Sequence, residues 1–506
     1  RHTRYGTVTG VQTCALPISH GTQALRELTR HLRAGGCVLV FPANRIAQRP
    51  PHGRKAIERP WHRALAVLQR RTQAPVLPLH VFGRRPAWYD FADWLRPNLA
   101  QRLLPRLFLA QRGATIRVRI GHPVPARQLE RFADDGARAA YLQLRAQILA
   151  RRPSTSRPGT QMPSRRRTLA PLAEPIERAQ LAQEVLALPP SALLTQSGAM
   201  QVFIATAQEV PLALREIGRL RELTFRGVGE GSGQQRDLDR YDEHYLHLFA
   251  WDREEQEIVG AYRLGATDLI RRYGGPSTLY TASLYRYAPD FLSQLGDAIE
   301  LGRSFVQPKY QRGHLPLLML WRGIGAFIAR NPRYRRMFGT VSISADHHAT
   351  SVRLMVDHLL GHCSDASLQA LVSPVRPFRA RFRERRSVRW QPQQISSLDD
   401  VAGMVRDLEV DRQGVPVLMA RYLELGARVV GINVDPEFHT IDALMVVDLL
   451  AAPKHLQVRY LGEAGAAAVR HEHSPKEPAI ATMPAVRSEE HSSELQSQFR
   501  ISYAVF

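Results

Sequence analysis

One stretch of the sequence places an acid and a base on an apolar segment that leads into a loop and a helix. Glu300 and Arg303 lie in the run IELGRSFV, which is typical of a buried strand. Pro308 ends this strand, and an apolar helix is predicted from about Pro316. The first N–H groups of a helix have no partner within it. The stretch therefore predicts a cleft for an acyl or phosphate-bearing group.

Other charged residues interrupt the apolar elements that precede this strand. Arg221 and Arg226 lie on a long predicted helix, Asp239 and Asp242 follow it, and Arg263 ends a predicted strand. Burying an unpaired charge is costly. These residues therefore either form an ion-pair network that fixes the fold or bind a charged ligand, and their spacing leaves both alternatives open.

The elements that position these residues predict an α/β fold in two blocks. Residues 20–152 alternate strands and helices, with a short strand predicted at residues 37–41 and a last helix at residues 129–149. Residues 153–176 are rich in Pro, Ser and Arg, which is typical of a linker. Residues 177–473 predict a mixed sheet flanked by helices.

The two ends of the chain look foreign to a folded protein. Residues 1–19 and 487–506 contain the strings GVQTCALPIS and RSEEHSSELQSQFR, which resemble translated sequencing-adapter sequence. We expect both to be artefacts, with residues 474–506 forming a disordered tail. Because the chain starts at Arg1, we also expect a truncated N-terminus.

Composition narrows the classes of partner. The chain has 69 Lys and Arg against 46 Asp and Glu, a formal charge of +23, so we expect an anionic partner such as a membrane surface or an acidic protein. We do not expect nucleic acid as a partner, since no recognition motif for it occurs. Three cysteines without metal-ligand spacing predict no metal site and a reducing cytoplasm. No apolar run reaches the roughly 18 residues that span a bilayer.

The first block contains a short motif that resembles a motif of a known enzyme family. Phe41, Pro42 and Asn44 lie where lysophospholipid acyltransferases have a Phe-Pro-x-Gly loop that helps to hold the acceptor. Arg45 follows where a basic residue could meet an anionic headgroup. The later run at residues 74–78 matches that family's second proline motif. The block thus resembles part of a glycerolipid O-acyltransferase α/β domain.

The resemblance breaks down at the catalytic motif. That family needs His-x4-Asp upstream of the loop, and none occurs between Gly21 and Phe41. A string of this form at residues 247–252 comes too late and predicts a strand. We therefore expect no O-acyl transfer by this chain.

The second block carries several motifs in a fixed order: EIGRLRELTFRGVGEGSG, DLDRYDEHYLHLFAWD, IVGAYRLG, ELGRSFVQPKYQR and MARYLELGA. It resembles the hemolysin-like branch of the GNAT-related N-acyltransferases, typified by ornithine Nα-acyltransferases, and more distantly the acyl-homoserine-lactone synthases. The resemblance implies a GNAT-like mixed-sheet α/β domain. It also implies that acyl carrier protein presents a 3-hydroxyacyl or acyl thioester on its phosphopantetheine, with no other cofactor bound.

The resemblance assigns roles to the charged residues. Glu300 is the candidate base that deprotonates the acceptor, the α-amine of ornithine or a similar amine. The substrate-binding candidates are Arg221, Arg226, Asp239, Asp242, Arg263 and Arg303. The candidates for binding the acyl donor are Val306, Gln311, Arg312 and Gly313, with backbone N–H groups polarising the thioester carbonyl.

Together the two blocks resemble bifunctional ornithine-lipid synthases, in which a second domain esterifies the lyso-lipid. This implies a cytoplasmic protein on the inner face of the cytoplasmic membrane, where its basic surface meets anionic lipid and acyl carrier protein. Two alternatives stay open: an N-acyltransferase for another amine such as lysine or glutamine, and a non-catalytic basic membrane-binding protein.

Overall fold

The computed structural model describes residues 21–43, 60–82, 115–153, 169–379, 389–410 and 414–474, together with the single residues 103, 106, 109 and 113. Asn44, Arg45, most of the expected linker, both ends expected to be artefacts and nearly all of the expected tail lie outside the described residues.

The helices are α1 (Gly21–Arg33), α2 (Ala64–Thr72), α3 (Ala126–Glu130), α4 (Asp135–Leu149), α5 (Arg178–Leu186), α6 (Pro211–Gly227), α7 (Thr267–Tyr273), α8 (Phe291–Leu295), α9 (Leu315–Arg330), α10 (Ala349–His362), α11 (Ala366–Gln369), α12 (Leu398–Leu408), α13 (Val417–Glu424) and α14 (Lys454–Glu472). The strands are β1 (Leu79–Phe82), β2 (Arg117–Ile120), β3 (Leu193–Ser197), β4 (Met200–Ala205), β5 (Leu246–Asp252), β6 (Glu257–Ala266), β7 (Tyr285–Tyr287), β8 (Ala298–Val306), β9 (Arg336–Ser344), β10 (Val372–Pro374), β11 (Arg428–Asp435) and β12 (Thr440–Asp448).

The second block is organised by an eight-stranded mixed sheet with the order β11-β12-β9-β8-β6-β5-β4-β3. Every neighbouring pair is antiparallel except β8 and β9. These two strands run parallel because α9 connects them as a crossover. Their pairing covers only residues 298–300 and 336–338, so the sheet opens beyond that point. The α/β prediction is confirmed.

The elements around the opening form where the sequence pattern predicts them. The helix α6 begins at a proline, which has no N–H to leave unpaired, and buries Ile217 and Leu220 against the sheet. The hairpin of β5 and β6 turns at the charged run of residues 253–256. The string HLFAWD is a strand, as predicted, and its His247 is buried with Nε2 2.8 Å from the backbone oxygen of Asp242.

Two predictions for the first block are wrong. Residues 37–41 form no strand, and the side chains of Leu39 and Phe41 are 67% and 72% exposed. The single helix predicted for residues 129–149 is two helices, because the Asp134 side chain accepts a hydrogen bond from the backbone N–H of Ala137 and starts α4 afresh. The strand β3 and the helices α12 and α14 were not predicted.

The first block packs directly on the second. Arg145 on α4 donates to Asp407 on α12 through Nε at 2.9 Å and Nη2 at 2.6 Å, and both side chains are buried. The backbone N–H of His122 donates to the same carboxylate at 2.6 Å. Leu142 and Ile148 lie in one hydrophobic cluster with core residues of the second block. The first block therefore packs on α12 of the second block.

In the part of the chain that the structure describes, no helix combines the length and apolarity that crossing a bilayer requires.

Candidate active site

The strand register brings the polar residues of the central strands onto one face of the large sheet. The directly paired residues are Arg263 with Gly302, Glu300 with Phe338, and Ser342 with Asp442. Paired residues point to the same side, as do residues two apart on one strand. All six therefore share the face that α6 covers, and we call it the site face.

Glu300 lies at the centre of the site face and is 1% exposed. The Tyr245 hydroxyl and the Tyr280 N–H donate to its Oε2, the latter at 3.3 Å, and the Thr281 N–H donates to its Oε1 at 2.7 Å. The carboxylate thus holds the 3₁₀ turn Tyr280–Ser283 against the sheet. Burial, followed by the Glu300 charge, raises the pKa of Tyr245 far above its ordinary value. Three donors therefore compete with an acceptor ammonium for the lone pairs of Glu300.

Four of the predicted substrate-binding residues pair with each other. Arg221 donates to Asp242 at 2.8 Å, and its Nε lies 2.8 Å from Asp237. Arg263 donates to Asp239 at 2.5 Å and to Asp242 at 3.2 Å. Both arginine side chains are 1% exposed. The ion-pair network that the sequence left open as one alternative is therefore present.

The network fixes the charge of Asp242. Burial alone would raise the pKa of this carboxyl group, but the guanidinium groups of Arg221 and Arg263 outweigh burial and hold the pKa well below its ordinary value. Asp242 stays ionised at neutral pH. Such a carboxylate is a weak proton acceptor, and its charge is already matched by two cations.

Arg263 retains N–H groups that the network does not use. Its Nε and Nη2 are buried and make no hydrogen bond with any described residue. Its guanidinium carbon lies 5.1 Å from the ring centre of Tyr245 and 5.3 Å from that of Tyr280. The rings offer partial compensation by cation–π contact. The unused donors can bind an acceptor carboxylate.

Arg226 lies apart from this group. It donates to Glu222 at 2.7 Å, and Glu222 also accepts the backbone N–H groups of Ser232 and Gly233. The pair therefore anchors the glycine-rich loop that follows α6, at residues 228–233. This arrangement gives no support to the prediction that Arg226 binds the substrate.

Arg303 sits where β8 bulges. Its φ of +47° is unusual for a residue with a side chain, and the β6–β8 register shifts at this point. The guanidinium carbon lies 4.6 Å from the ring centre of Phe438 and 5.4 Å from that of Tyr280, and 3.7 Å separates Nη1 from Asp237. Its Nε has no hydrogen bond among the described residues. The bulge thus aims a loosely paired cation across the site face.

The predicted donor-binding residues lie at the open end of β8 and α9. The Gln311 side chain donates to the backbone oxygen of Val306 at 2.8 Å, which closes the loop between the strand and the helix. Gln311, Arg312 and Gly313 are exposed. Their loop leads into the first turn of α9, whose N–H groups have no partner within the helix. The loop and helix start therefore can receive a thioester oxygen or a pantetheine amide.

Sequence reasoning missed residues that complete the site. Asp237 belongs to the same RDLDRYD run as its paired neighbours, so its spacing was a usable signal. Tyr245 follows that run and had no such signal. The backbone N–H groups of Tyr280 and Thr281 could not be identified from residue types.

The acceptor loop predicted for the first block is only partly described. Pro42 is buried, and its backbone oxygen accepts the His62 N–H at 2.9 Å, whereas Phe41 is exposed. Asn44 and Arg45 lie outside the described residues, so the predicted loop stays a prediction. Among the described residues, no group of three or more His, Cys, Asp or Glu could hold a metal ion.

Comparison with known proteins gives consistent results for the second block. Residues 220–322 match the acetyltransferase (GNAT) domain family. A glycine N(alpha)-acyltransferase from Bacteroides thetaiotaomicron is 36% identical over 195 residues, which are 36% of this chain and 57% of that protein. Another from Phocaeicola vulgatus is 32% identical over 221 residues, 41% of this chain and 65% of that protein.

An L-ornithine N(alpha)-acyltransferase from Rhizobium meliloti is 27% identical over 261 residues, 50% of this chain and 78% of that protein. The chain thus spans less than two thirds of the length of the two glycine N(alpha)-acyltransferases. No solved structure matches significantly. The match to the family runs from the end of α6 through β5, β6 and β8 into the first half of α9, so this part of the chain is similar to GNAT-type acyltransferase domains.

Proposed function

We propose that this chain is an amino acid Nα-acyltransferase, which moves an acyl group from a thioester to the α-amine of a small amino acid. The observation that carries the proposal is the site face itself. It gathers a buried carboxylate and two arginines with unused N–H groups, and these residues lie within the stretch that matches the GNAT domain family. The reaction forms a C–N bond, breaks the C–S bond and releases a thiol.

Ornithine is the acceptor that we propose first, because the motif order resembles ornithine Nα-acyltransferases. Glycine is the second candidate, since the two relatives with 36% and 32% identity are named for glycine. In either case the unused N–H groups of Arg263 and Arg303 are suited to the acceptor carboxylate. We propose a (3-hydroxy)acyl chain on acyl carrier protein as the donor.

A thioester on an acidic carrier protein also suits the charge of this chain, which is +23. Docking to an anionic membrane surface, synthesis of ornithine lipid and a remnant O-acyltransferase role for the first block are further parts of the proposal. They rest on the sequence resemblance alone.

The test uses the full chain with acyl carrier thioesters and a panel of ornithine, glycine, lysine and glutamine. Mass spectrometry should detect an N-acyl amino acid for ornithine or glycine above the others. Liposome binding with no turnover of any thioester would instead support the non-catalytic alternative. Formation of a diacylated product would contradict the expectation that this chain performs no O-acyl transfer.

The role of Glu300 is tested by Glu300→Gln, which keeps the shape and one accepting oxygen. If Glu300 is the base, we expect turnover to fall by about 100-fold or more while thermal unfolding shows a folded protein. Unchanged turnover would refute the role as base and leave Glu300 as the residue that holds the turn at Tyr280.

A further inference from the structure

Two carboxylates that no motif identified are within electrostatic reach of Arg303. Glu230 belongs to the glycine-rich loop after α6, and Asp442 lies on β12. The charge on Asp442 acts on the ionisation of Glu230, and the positive charge of Arg303 acts on both. Three segments that are distant in sequence therefore bring a cation and two anions together on the site face.

Asp442 has a fixed orientation and one open oxygen. Its side chain is 3% exposed. Its Oδ1 accepts hydrogen bonds from the hydroxyls of Ser342 at 2.7 Å and Thr440 at 3.1 Å. Within the described part of the chain, Oδ2 has no hydrogen-bond partner and no ion pair. Neutral hydroxyl donors orient this carboxylate without neutralising it.

The surroundings of Asp442 favour its protonated form more than those of an ordinary aspartate. Burial, with the nearby charge of Asp435, raises its pKa to about 6, although the Ser342 hydroxyl and the more distant Arg303 oppose the rise. A base is most effective when its pKa lies near the working pH. Asp442 meets this condition, whereas the doubly paired Asp242 does not.

Glu230 is the second carboxylate of the cluster. Its backbone N–H donates to Phe225 at 2.8 Å, and the preceding Gly229 has a φ of +79°, which a side chain would strain. Its half-buried carboxylate makes no hydrogen bond or ion pair with any described residue. Burial and the charge of Asp442 raise its pKa to about 7. An ammonium group between the two acids would relieve their mutual repulsion.

The site face has room for a ligand at the opening between β8 and β9. A Cβ atom built on Gly302 would meet no atom within 4 Å. This glycine points to the same side as Glu300 and Asp442, by the register given above. The residues of β9 on this side include Thr340 and Ser342, which are small. The open space therefore lies on the face that carries the two carboxylates and Arg303.

We propose that Asp442, and not Glu300, takes the proton of the acceptor ammonium, with Glu230 as the second carboxylate that holds this group. The inference rests on the proposed amino acid N-acylation. One ammonium proton passes to Oδ2 of Asp442, and the neutral amine attacks the thioester carbonyl. The C–N bond forms and the C–S bond breaks. The departing thiolate takes a second proton from the nitrogen, and Asp442 returns its own proton to water.

Several charged or titratable groups face Asp442 and contribute to its titration. They are Arg303 on β8, Asp435 on β11, Glu230 after α6, Tyr280 on the 3₁₀ turn and Tyr285 on β7. Only Arg303 among them is a permanent cation. The acid limb of the reaction should therefore follow Asp442 and not the tyrosines, since burial raises the pKa values of both tyrosines well above 10.

The test measures kcat/KM for the amino acid against pH, using the full chain and a saturating acyl carrier thioester. In all variants the pH profile keeps the limb that comes from deprotonation of the amino acid's own amine. In Asp442→Asn we expect kcat/KM for the amino acid to fall by about 100-fold or more at pH 8. The second limb of the pH profile, near pH 6, should disappear. The KM for the thioester should not change. Ser342→Ala removes a donor to the charged form, so its limb should move to higher pH. Glu230→Gln should raise the KM for the amino acid and keep the limb.

The matched control is Asp448→Asn, the same change at the far end of β12, where Asp448 pairs with Arg335 at 2.7 Å. It should keep the acid limb. An intact limb and near-normal kcat/KM in Asp442→Asn would overturn the inference, as would a limb that disappears in Glu230→Gln and persists in Asp442→Asn. Failure of the wild-type chain to acylate any amino acid would instead refute the proposed function.

Discussion

The substitution Asp242→Asn separates a structural role of the arginine–aspartate network from a substrate-binding role. Asp242 is 3% exposed and is shared by Arg221 at 2.8 Å and Arg263 at 3.2 Å. An asparagine keeps the shape but removes the charge. Its amide group would also face the Asp239 N–H, which now donates to Oδ2 at 2.8 Å. The change therefore leaves two buried cations with fewer anions and can place two donors against each other.

The expected loss of stability in Asp242→Asn follows from the burial of this side chain. Removing one partner of a buried ion pair costs about 3–5 kcal/mol. Asp237 and Asp239 remain beside the arginines, so we expect a value within this range and not the sum for two pairs. The matched control is Asp297→Asn, which breaks a pair with Arg271 of 2.5 Å in which both side chains are exposed. An exposed pair contributes about 0–1 kcal/mol.

The pH dependence of the stability gives a second measure of what the charge of Asp242 contributes. The pKa of Asp242 is lower in the folded chain than in the unfolded chain. Its stabilisation is therefore present above the unfolded pKa of about 3.9 and is lost as the pH falls towards the folded value. Urea unfolding at pH 7 should show the full difference between wild type and Asp242→Asn, and the difference should shrink at about pH 3.

Two outcomes would refute this reasoning. The first is an Asp242→Asn protein as stable as wild type at pH 7 but with a raised KM for the amino acid, which would make Asp242 a binding residue. The second is a stability difference that does not change with pH, which would mean that charge is not its source.

Two further predictions concern packing. Gly339→Ala should destabilise the chain by about 1–3 kcal/mol, because its Cβ would collide with the backbone oxygen of Leu301, whereas Gly302→Ala points into open space and should change the urea midpoint little. Equal midpoints for the two variants would contradict this. Asp407→Asn leaves Arg145 buried without its anion, so hydrogen exchange in α4 should speed up while β6 stays protected. Unchanged protection of α4 would show that the ion pair does not hold the two blocks together.

The sequence predicted much of the fold around Glu300, because local patterns determine it. The strand, the break at Pro308 and the apolar helix that follows all form where periodicity and proline placed them. The pairing of Arg221 and Arg263 with nearby acids was one of the two alternatives that the cost of burying an isolated charge left open. The order of charged residues along the chain was thus enough to suggest a network, although not which acid meets which arginine.

The remaining features depend on the order of strands in space. Asp442 is one of two acids in the run TIDALMVVD, and nothing local indicates that β12 lies beside β9. Glu230 lies in a glycine-rich loop, and no local pattern indicates which strands that loop lies beside. The error at residues 37–41 has the opposite cause. An apolar run has strand character only when a neighbouring strand satisfies its backbone, and no described residue pairs with residues 37–41 in this way.

The place of β12 between β9 and β11 has a consequence for the order in which the chain becomes competent during synthesis. The ribosome releases β8, α9 and β9 long before β12, so the half of the sheet that faces the thioester can form first. Until β12 arrives, β9 is an edge strand with unpaired backbone groups. If Asp442 takes the proton as proposed, a nascent chain can fold its donor side and still be unable to activate an amine. Acyl transfer then begins only when the last strand pair closes the sheet.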